Sequence, residues 1–304
     1  MLKILKRILL GLLVVIGLLI ALLVGVVVVD GLMGGGRLEA VTNTTISSAN
    51  GPEIRAFVAR PSTVGPHPTV IMIHEFWGLT ADITGKAEAL AQEGYLVVSP
   101  DLFRGSTAAW VPRAIWQVIS TPQEQIIADL DAVYEWLSIQ PDVDPARIAI
   151  MGFCFGGGAS LRYSLHNNEL AATVILYGSP VTEPAQLKSL PGPVLGIFGG
   201  ADASIPIETV NAFEAGLTEA GVPNQISVYE GQPHAFVRGM EAIRQGGPQA
   251  EAWNEVLTFL DDTLKESPPS FRRTDPSNAR IGWDWGYWIR LAYEHTVGGA
   301  AHGH

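Results

Sequence analysis

From Arg147 to Gly158 the chain reads R-I-A-I-M-G-F-C-F-G-G-G. Ile148 to Met151 is a short apolar run, the pattern of a strand buried on both faces. Gly152-Phe153-Cys154-Phe155-Gly156 then follows the G-x-S-x-G elbow with cysteine in the serine position. Its glycines leave room for a sharp strand-to-helix turn that lifts the middle side chain into a strained, accessible position. A helix N-terminus behind the turn favours a thiolate and aims backbone N–H groups at a developing oxyanion. Cys154 is the only cysteine of the chain, so no intramolecular disulfide forms. Read without its neighbours, it is also a small apolar residue of the kind that fills cores.

The sequence on either side supplies the framework such an elbow needs. Strands are expected at Thr69–His74, Tyr95–Ser99, Ala172–Tyr177, Pro193–Phe198 and Gln225–Tyr229. Helices are expected at Thr80–Glu93, Pro122–Ile139, Ile205–Ala220 and Gln249–Lys265, with Thr121 as N-cap of the second. Leu38 to Arg60 suits two further strands around the turn Ser48-Ala49-Asn50-Gly51. Pro100 to Thr121 reads as irregular, with Trp110, Arg113 and Trp116 shaping a pocket. Alternating strands and helices predict an α/β fold, a mostly parallel sheet of about eight strands covered by helices on both faces.

An elbow nucleophile needs a base, a group that orients the base, and oxyanion donors. In such sheets the chain order is nucleophile, acid, histidine. Asp202 follows the strand ending at Phe198, and His234 follows the last strand. Both positions lie at C-terminal strand ends, where open α/β sheets place their sites. Each also has a plainer role, Asp202 in a turn and His234 in a polar loop. Their joint order favours a Cys154–His234–Asp202 triad. His67, His166 and His295 lack such placement and read as structural or surface residues.

The residues His74-Glu75-Phe76-Trp77-Gly78-Leu79, Pro100-Asp101-Leu102-Phe103-Arg104-Gly105, the elbow, the Asp202 turn and His234-Ala235-Phe236 together resemble the dienelactone hydrolase family of α/β-hydrolases. The resemblance spans roughly Leu38 to Glu266. It implies a carboxylic ester hydrolase acting on ester or lactone bonds of small carboxylate-bearing molecules through a cysteinyl acyl-enzyme. It also implies that Glu75 helps set the thiol's protonation state, and that the backbone N–H groups of Phe76 and Phe155 form the oxyanion hole. Arg238, Arg104 and Trp77 would then contact substrate. A lone carboxylate at the end of a buried strand independently suggests a task for Glu75. The motif around Arg104 lacks one residue of the family's best-known members. No metal or organic cofactor is required. The alternatives are a general carboxylesterase or thioesterase and, from another class, a catalytically idle membrane-tethered binding protein.

The ends of the chain differ from this domain. Residues 1–7 form a basic head with Lys3, Lys6 and Arg7, and 8–29 is an uncharged run of 22 residues. At 1.5 Å per residue that run spans about 33 Å, enough for a hydrocarbon core. It is longer than the apolar region of a signal peptide and lacks a small-x-small cleavage site. The chain therefore reads as a single-pass membrane protein with its basic head cytoplasmic and its catalytic domain extracytoplasmic. Residues 30–37, with Gly34-Gly35-Gly36, read as a flexible linker before the 38–266 domain. The chain carries 19 Lys and Arg against 30 Asp and Glu. Setting aside the three in the basic head leaves 16 against 30, or −14, which disfavours nucleic acid as a partner. Residues 267–304 are a Pro-, Trp- and Gly-rich tail whose aromatics are expected to pack on the domain's own surface, with His302 and His304 at a disordered end.

Overall fold

A computed structural model of the chain describes residues 2–48, 51–266 and 285–297. It begins with helix α1 (Leu2–Glu39). No part of the helix's apolar window is buried against the domain. A helix apolar on all sides is suited to lipid rather than to one packed face. By length and composition α1 can cross a membrane, a test that an N-terminal signal sequence also passes.

The expected flexible linker is instead the last part of this helix, which runs unbroken through Gly34-Gly35-Gly36. Arg37 reaches back two turns to the Asp30 carboxylate at 2.5 Å and donates to Thr107 O at 2.9 Å. A Cβ on Gly34 would meet Thr107 O at 2.9 Å. At Gly34, then, the small residue serves close packing, and the Arg37–Thr107 hydrogen bond straps the helix to the domain.

Strands β1 (Thr44–Ile46) and β2 (Ile54–Ala59) pair antiparallel; Ala49 and Asn50 of the expected turn lie outside the described residues. β3 (His67–Ile73), α2 (Ala81–Gln92) and β4 (Leu96–Pro100) follow. The stretch expected to be irregular contains a ten-residue helix, α3 (Val111–Ser120), with Pro112 in its first turn. Thr121 does not cap the next helix; its hydroxyl donates back to Gln117 O, closing α3. Then come α4 (Gln123–Ser138), β5 (Val143–Phe153), α5 (Phe155–His166), β6 (Ala172–Leu176), α6 (Pro184–Leu187) and β7 (Val194–Gly199). α7 (Ile207–Glu219), β8 (Asn224–Tyr229), α8 (Met240–Arg244) and α9 (Pro248–Leu260) complete the domain, with a π-helical turn at Asp261–Glu266. A last helix, α10 (Trp285–Val297), returns to it.

The eight strands lie in the order β1-β2-β4-β3-β5-β6-β7-β8. β2 is antiparallel to β4, and every pair from β4 to β8 is parallel. β3, β4, β6 and β7 are buried along their whole length, as their continuous apolar character requires. Parallel strands end on one edge, so the loops after β3, β5, β7 and β8 share one rim.

His74, directly after β3, fastens that rim. Its ring is fully buried, Nδ1–H donates to Glu75 O at 2.7 Å, and Nε2 accepts from the Leu102 N–H at 3.2 Å. Burial lowers its pKa from 6.5 to about 4. Between those values the unfolded chain binds a proton that the folded chain refuses, so this residue's share of stability falls as pH drops from 6.5 toward 4. Neighbouring Asp101, raised by burial to about 6, works in the opposite direction. Comparison with His74→Asn isolates the histidine. The stability gap between wild type and variant in urea titrations should narrow by roughly 3 kcal/mol between pH 7 and pH 4. A gap independent of pH would contradict this reading.

Candidate active site

β5 ends at Phe153 and α5 begins at Phe155, leaving Cys154 alone at the turn with φ +54° and ψ −114°. A non-glycine residue at such angles costs on the order of 1–3 kcal/mol and persists only where its surroundings enforce it. Here the surroundings are backbone. A Cβ on Gly152 would lie 2.2 Å from the Gly156 carbonyl carbon, and one on Gly156 would lie 2.4 Å from Ile73 O. Only glycine fits on either side. Cys154 N–H donates to Leu176 O at 2.9 Å, which ties the turn to β6.

The loops after β7 and β8 bring two more predicted residues to the same rim. His234 Nδ1 lies 2.7 Å from Asp202 Oδ2, with both side chains buried. Asp202 Oδ1 accepts from Ser204 N–H, Ser204 Oγ and Ile205 N–H at 2.8, 2.6 and 3.0 Å. Burial works against the Asp202 carboxylate, yet His234 and these donors hold its pKa below the ordinary value. Burial likewise works against a charged His234, but the Asp202 and Cys154 charges overcome it and raise its pKa well above 6.5. His234 Nε2 is buried without a hydrogen-bond partner among the described residues.

A cavity of about 490 Å³ opens beside Cys154. Glu75, Phe76, Trp77 and Arg238 are among its lining residues; Arg238 is solvent-exposed there. Burial raises the Glu75 pKa, with Lys86 and His234 opposing the rise. Lys86 is the main residue that the sequence did not single out. It is 2% exposed, with its ammonium 4.8 Å above the Phe153 ring. Burial lowers its pKa, while Glu75 and Asp82 pull it back up. Gln117 of α3 was also missed; its amide donates to Phe76 O and so fixes the backbone after Glu75.

Three expectations do not match the geometry. Arg104 turns away from the cavity lining, and its guanidinium makes a two-point pair with Asp129 at 2.8 and 3.1 Å. Trp110, Arg113 and Trp116 do not line this cavity, and both tryptophans are 51% exposed. His295 is no remote residue: it lines the cavity, its ring 5.0 Å from Phe76 and 6.0 Å from that of His234.

His295 arrives on α10, which lies across the rim. Tyr287 and Trp288 are buried, in keeping with the expectation that tail aromatics pack on the domain. The rest of the tail, His302 and His304 included, lies outside the described residues. The Tyr287 hydroxyl stands 3.5 Å from Cys154 Sγ. Burial and the charge of Cys154 push the Tyr287 pKa well above 10, so this hydroxyl keeps its proton. Arg290 Nε donates to Ser204 O at 3.1 Å, linking α10 to the Asp202 loop. No spacing rule connects residues 133 positions apart, so this cover was not legible beforehand.

A thiol at a helix N-terminus, a buried imidazole aligned by a carboxylate, and a cavity with paired charges together suit acyl transfer to sulfur. Among the described residues there is no group of three or more His, Cys, Asp or Glu that could hold a metal ion.

Comparison with known proteins gives the family. The sequence profile of the dienelactone hydrolase family matches residues 54–264. A Yersinia pestis protein named carboxymethylenebutenolidase is 32% identical over 232 residues, covering 71% of this chain and 86% of its own. A Salmonella typhimurium protein of the same name is 35% identical over 232 residues, covering 71% and 85%. A Klebsiella pneumoniae protein crystallised as a dienelactone hydrolase is 33% identical, with a TM-score of 0.64 over 71% of this chain and 96% of its own. The dienelactone hydrolase-like promiscuous phosphotriesterase P91 from metagenomic libraries shares the fold, with a TM-score of 0.63 at 20% identity over 73% of this chain and 98% of its own. This chain has the α/β-hydrolase fold, belongs to the dienelactone hydrolase family, and is a hydrolase of ester or lactone bonds.

Proposed function

We propose that the enzyme hydrolyses small carboxylate-bearing esters or lactones through a covalent acyl-Cys154 intermediate. The observation that carries this reading is the 2.7 Å His234–Asp202 pair beside a strained Cys154. The Cys154 thiolate attacks the carbonyl carbon and forms the C–S bond. The carbonyl oxygen takes the negative charge and accepts from the Phe76 and Phe155 backbone N–H groups. Collapse breaks the C–O bond, and the leaving oxygen takes the proton from His234 Nε2. His234 then removes a proton from water, which attacks the acyl carbon and releases the thiolate. Asp202 holds the imidazole with Nδ1 turned away from the reaction.

The cavity suggests how a carboxylate is held. Lys86 is the buried cation of the wall, and Arg238 waits near the opening. At rest Glu75 balances Lys86; a substrate carboxylate competes for the same ammonium. The competition would move Glu75 toward protonation and toward the thiol, coupling substrate charge to the nucleophile.

We further propose that α1 is an uncleaved single-pass anchor with Lys3, Lys6 and Arg7 on the cytoplasmic side and the hydrolase domain outside. The strap between Arg37, Asp30 and Thr107 supports this, because it makes the end of α1 part of the domain's packing.

Cys154→Ala should retain its thermal midpoint within a few degrees and lose hydrolysis of aryl esters to background. Retained turnover would refute the assignment of the nucleophile. Lys86→Met keeps the volume and removes the charge. It should raise KM for a carboxylate-bearing ester by roughly 10- to 100-fold, the worth of a charged hydrogen bond, and leave a neutral ester of equal size almost unchanged. Equal loss on both esters would assign Lys86 a structural role only.

A further inference from the structure

Outside α1, the described residues expose eight large apolar side chains: Val64, Trp110, Trp116, Ile119, Ile139, Ile207, Ile289 and Tyr293. Five of the eight lie on the α3 segment and α10, two helices that pack on each other. A grouping of exposed apolar residues on neighbouring helices marks a contact surface, whereas single ones do not.

The position of that face relative to α1 is set by hydrogen bonds. Asp30 is the first charged residue after the apolar run. Its carboxylate accepts from the Ala109 N–H at 2.9 Å and the Trp110 N–H at 3.0 Å, which fastens the segment just before α3 to α1. Thr107, three residues earlier, bonds to Gly34 O and to Arg37, a turn or more farther along α1. The chain from Thr107 to Trp110 therefore climbs α1 toward the apolar run. Trp110 is held at the level where that run ends. Arg113 lies against Gly31 of α1, where an added Cβ would meet its guanidinium carbon at 2.9 Å. Trp116 and Ile119 continue from Arg113 in steps of three along the same row of α3. On α10 the exposed Ile289 and Tyr293 are four residues apart, on a face separate from the buried Tyr287, Trp288 and Leu291.

We propose that the α3–α10 face rests on the surface of the bilayer that α1 spans, with Trp110 and Trp116 at headgroup level. The inference rests on the reading of α1 as an uncleaved anchor. Tryptophan and tyrosine favour that interfacial layer because an apolar ring and a polar N–H or O–H each find their medium there. The domain is strongly acidic, so the contact is made by apolar insertion and does not depend on anionic lipid. Arg37 and Ala109 also line the cavity of Cys154. Arg37 stands seven residues beyond Asp30, about 10 Å along the helix. The site thus opens close beneath the interface, and esters partitioned into the bilayer surface reach it without first dispersing in water.

The test uses the full chain reconstituted in phosphatidylcholine vesicles that contain phospholipid brominated near the top of the acyl chain. Bromine quenches only tryptophans that reach the interface. The wild-type emission should be partly quenched, the Trp110→Phe/Trp116→Phe variant should lose the larger part of that quenchable component, and Trp136→Phe should keep it. High salt should not change the result. An alkaline carbonate wash run in parallel checks the anchor. Protein stripped from the vesicles would overturn the anchor reading and this inference together. Retained protein with equal quenching in wild type and double variant would overturn the inference alone. Trp110 and Trp116 shielded from both brominated lipid and aqueous acrylamide would assign the face to a protein partner or second copy, and would overturn it too.

Discussion

At Cys154 three backbone segments meet without room for a side chain beside it. The carbonyl of Ile73 presses on Gly156, Gly156 presses on Gly152, and Cys154 is left at φ +54°. This close approach joins β3, β5 and α5 at one point. It brings the loop after β3, carrying Glu75 and Phe76, next to the first turn of α5. The same geometry that strains the cysteine thereby assembles a cavity wall, a candidate nucleophile and two candidate oxyanion donors. The parallel sheet does the remainder: with β7 and β8 in register beside β6, Asp202 and His234 emerge on the same rim.

Around that point the enzyme buries an unusual set of charges, and each is tolerated because another opposes it. Asp202 is held ionised by His234 and by donors from the Ser204 turn. His234 is held protonated by Asp202 and the sulfur. Glu75 and Lys86 oppose each other across the cavity wall. Isolated, any one of these would cost several kcal/mol on burial. As a linked set, each group's protonation depends on the next. α10 adds a lid-like layer: its Tyr287 hydroxyl occupies the space next to the sulfur, leaving Cys154 1% exposed.

The parts of this arrangement that were legible in the sequence are those encoded locally. Apolar runs located the strands of the parallel core to within a few residues, because a strand buried on both faces has few alternatives to Val, Ile and Leu. The elbow was legible because only glycine survives at 152 and 156. Asp202 and His234 were legible through their order after successive strands. What could not be read depends on distant pairing. Arg104 looks like a substrate contact until Asp129, 25 residues on, claims its guanidinium. Lys86 is one of several charged residues on α2, and nothing local says that it is buried. Gly34-Gly35-Gly36 has the composition of a linker, yet it is helical, and Arg37 on the same helix bonds to Thr107 of the domain. Tyr287 and His295 reach the site through the return of a tail that no spacing rule links to it.

The covalent intermediate is the step on which the mechanism stands or falls. Intact-protein mass spectrometry of acid-quenched samples, taken during turnover of an activated ester, measures it directly, and peptide mapping locates it. The mechanism predicts a species heavier by one acyl group, with the added mass on the peptide that contains Cys154, decaying at the rate of product release. Steady hydrolysis with no adduct at Cys154, or with the acyl group on a serine, would contradict it.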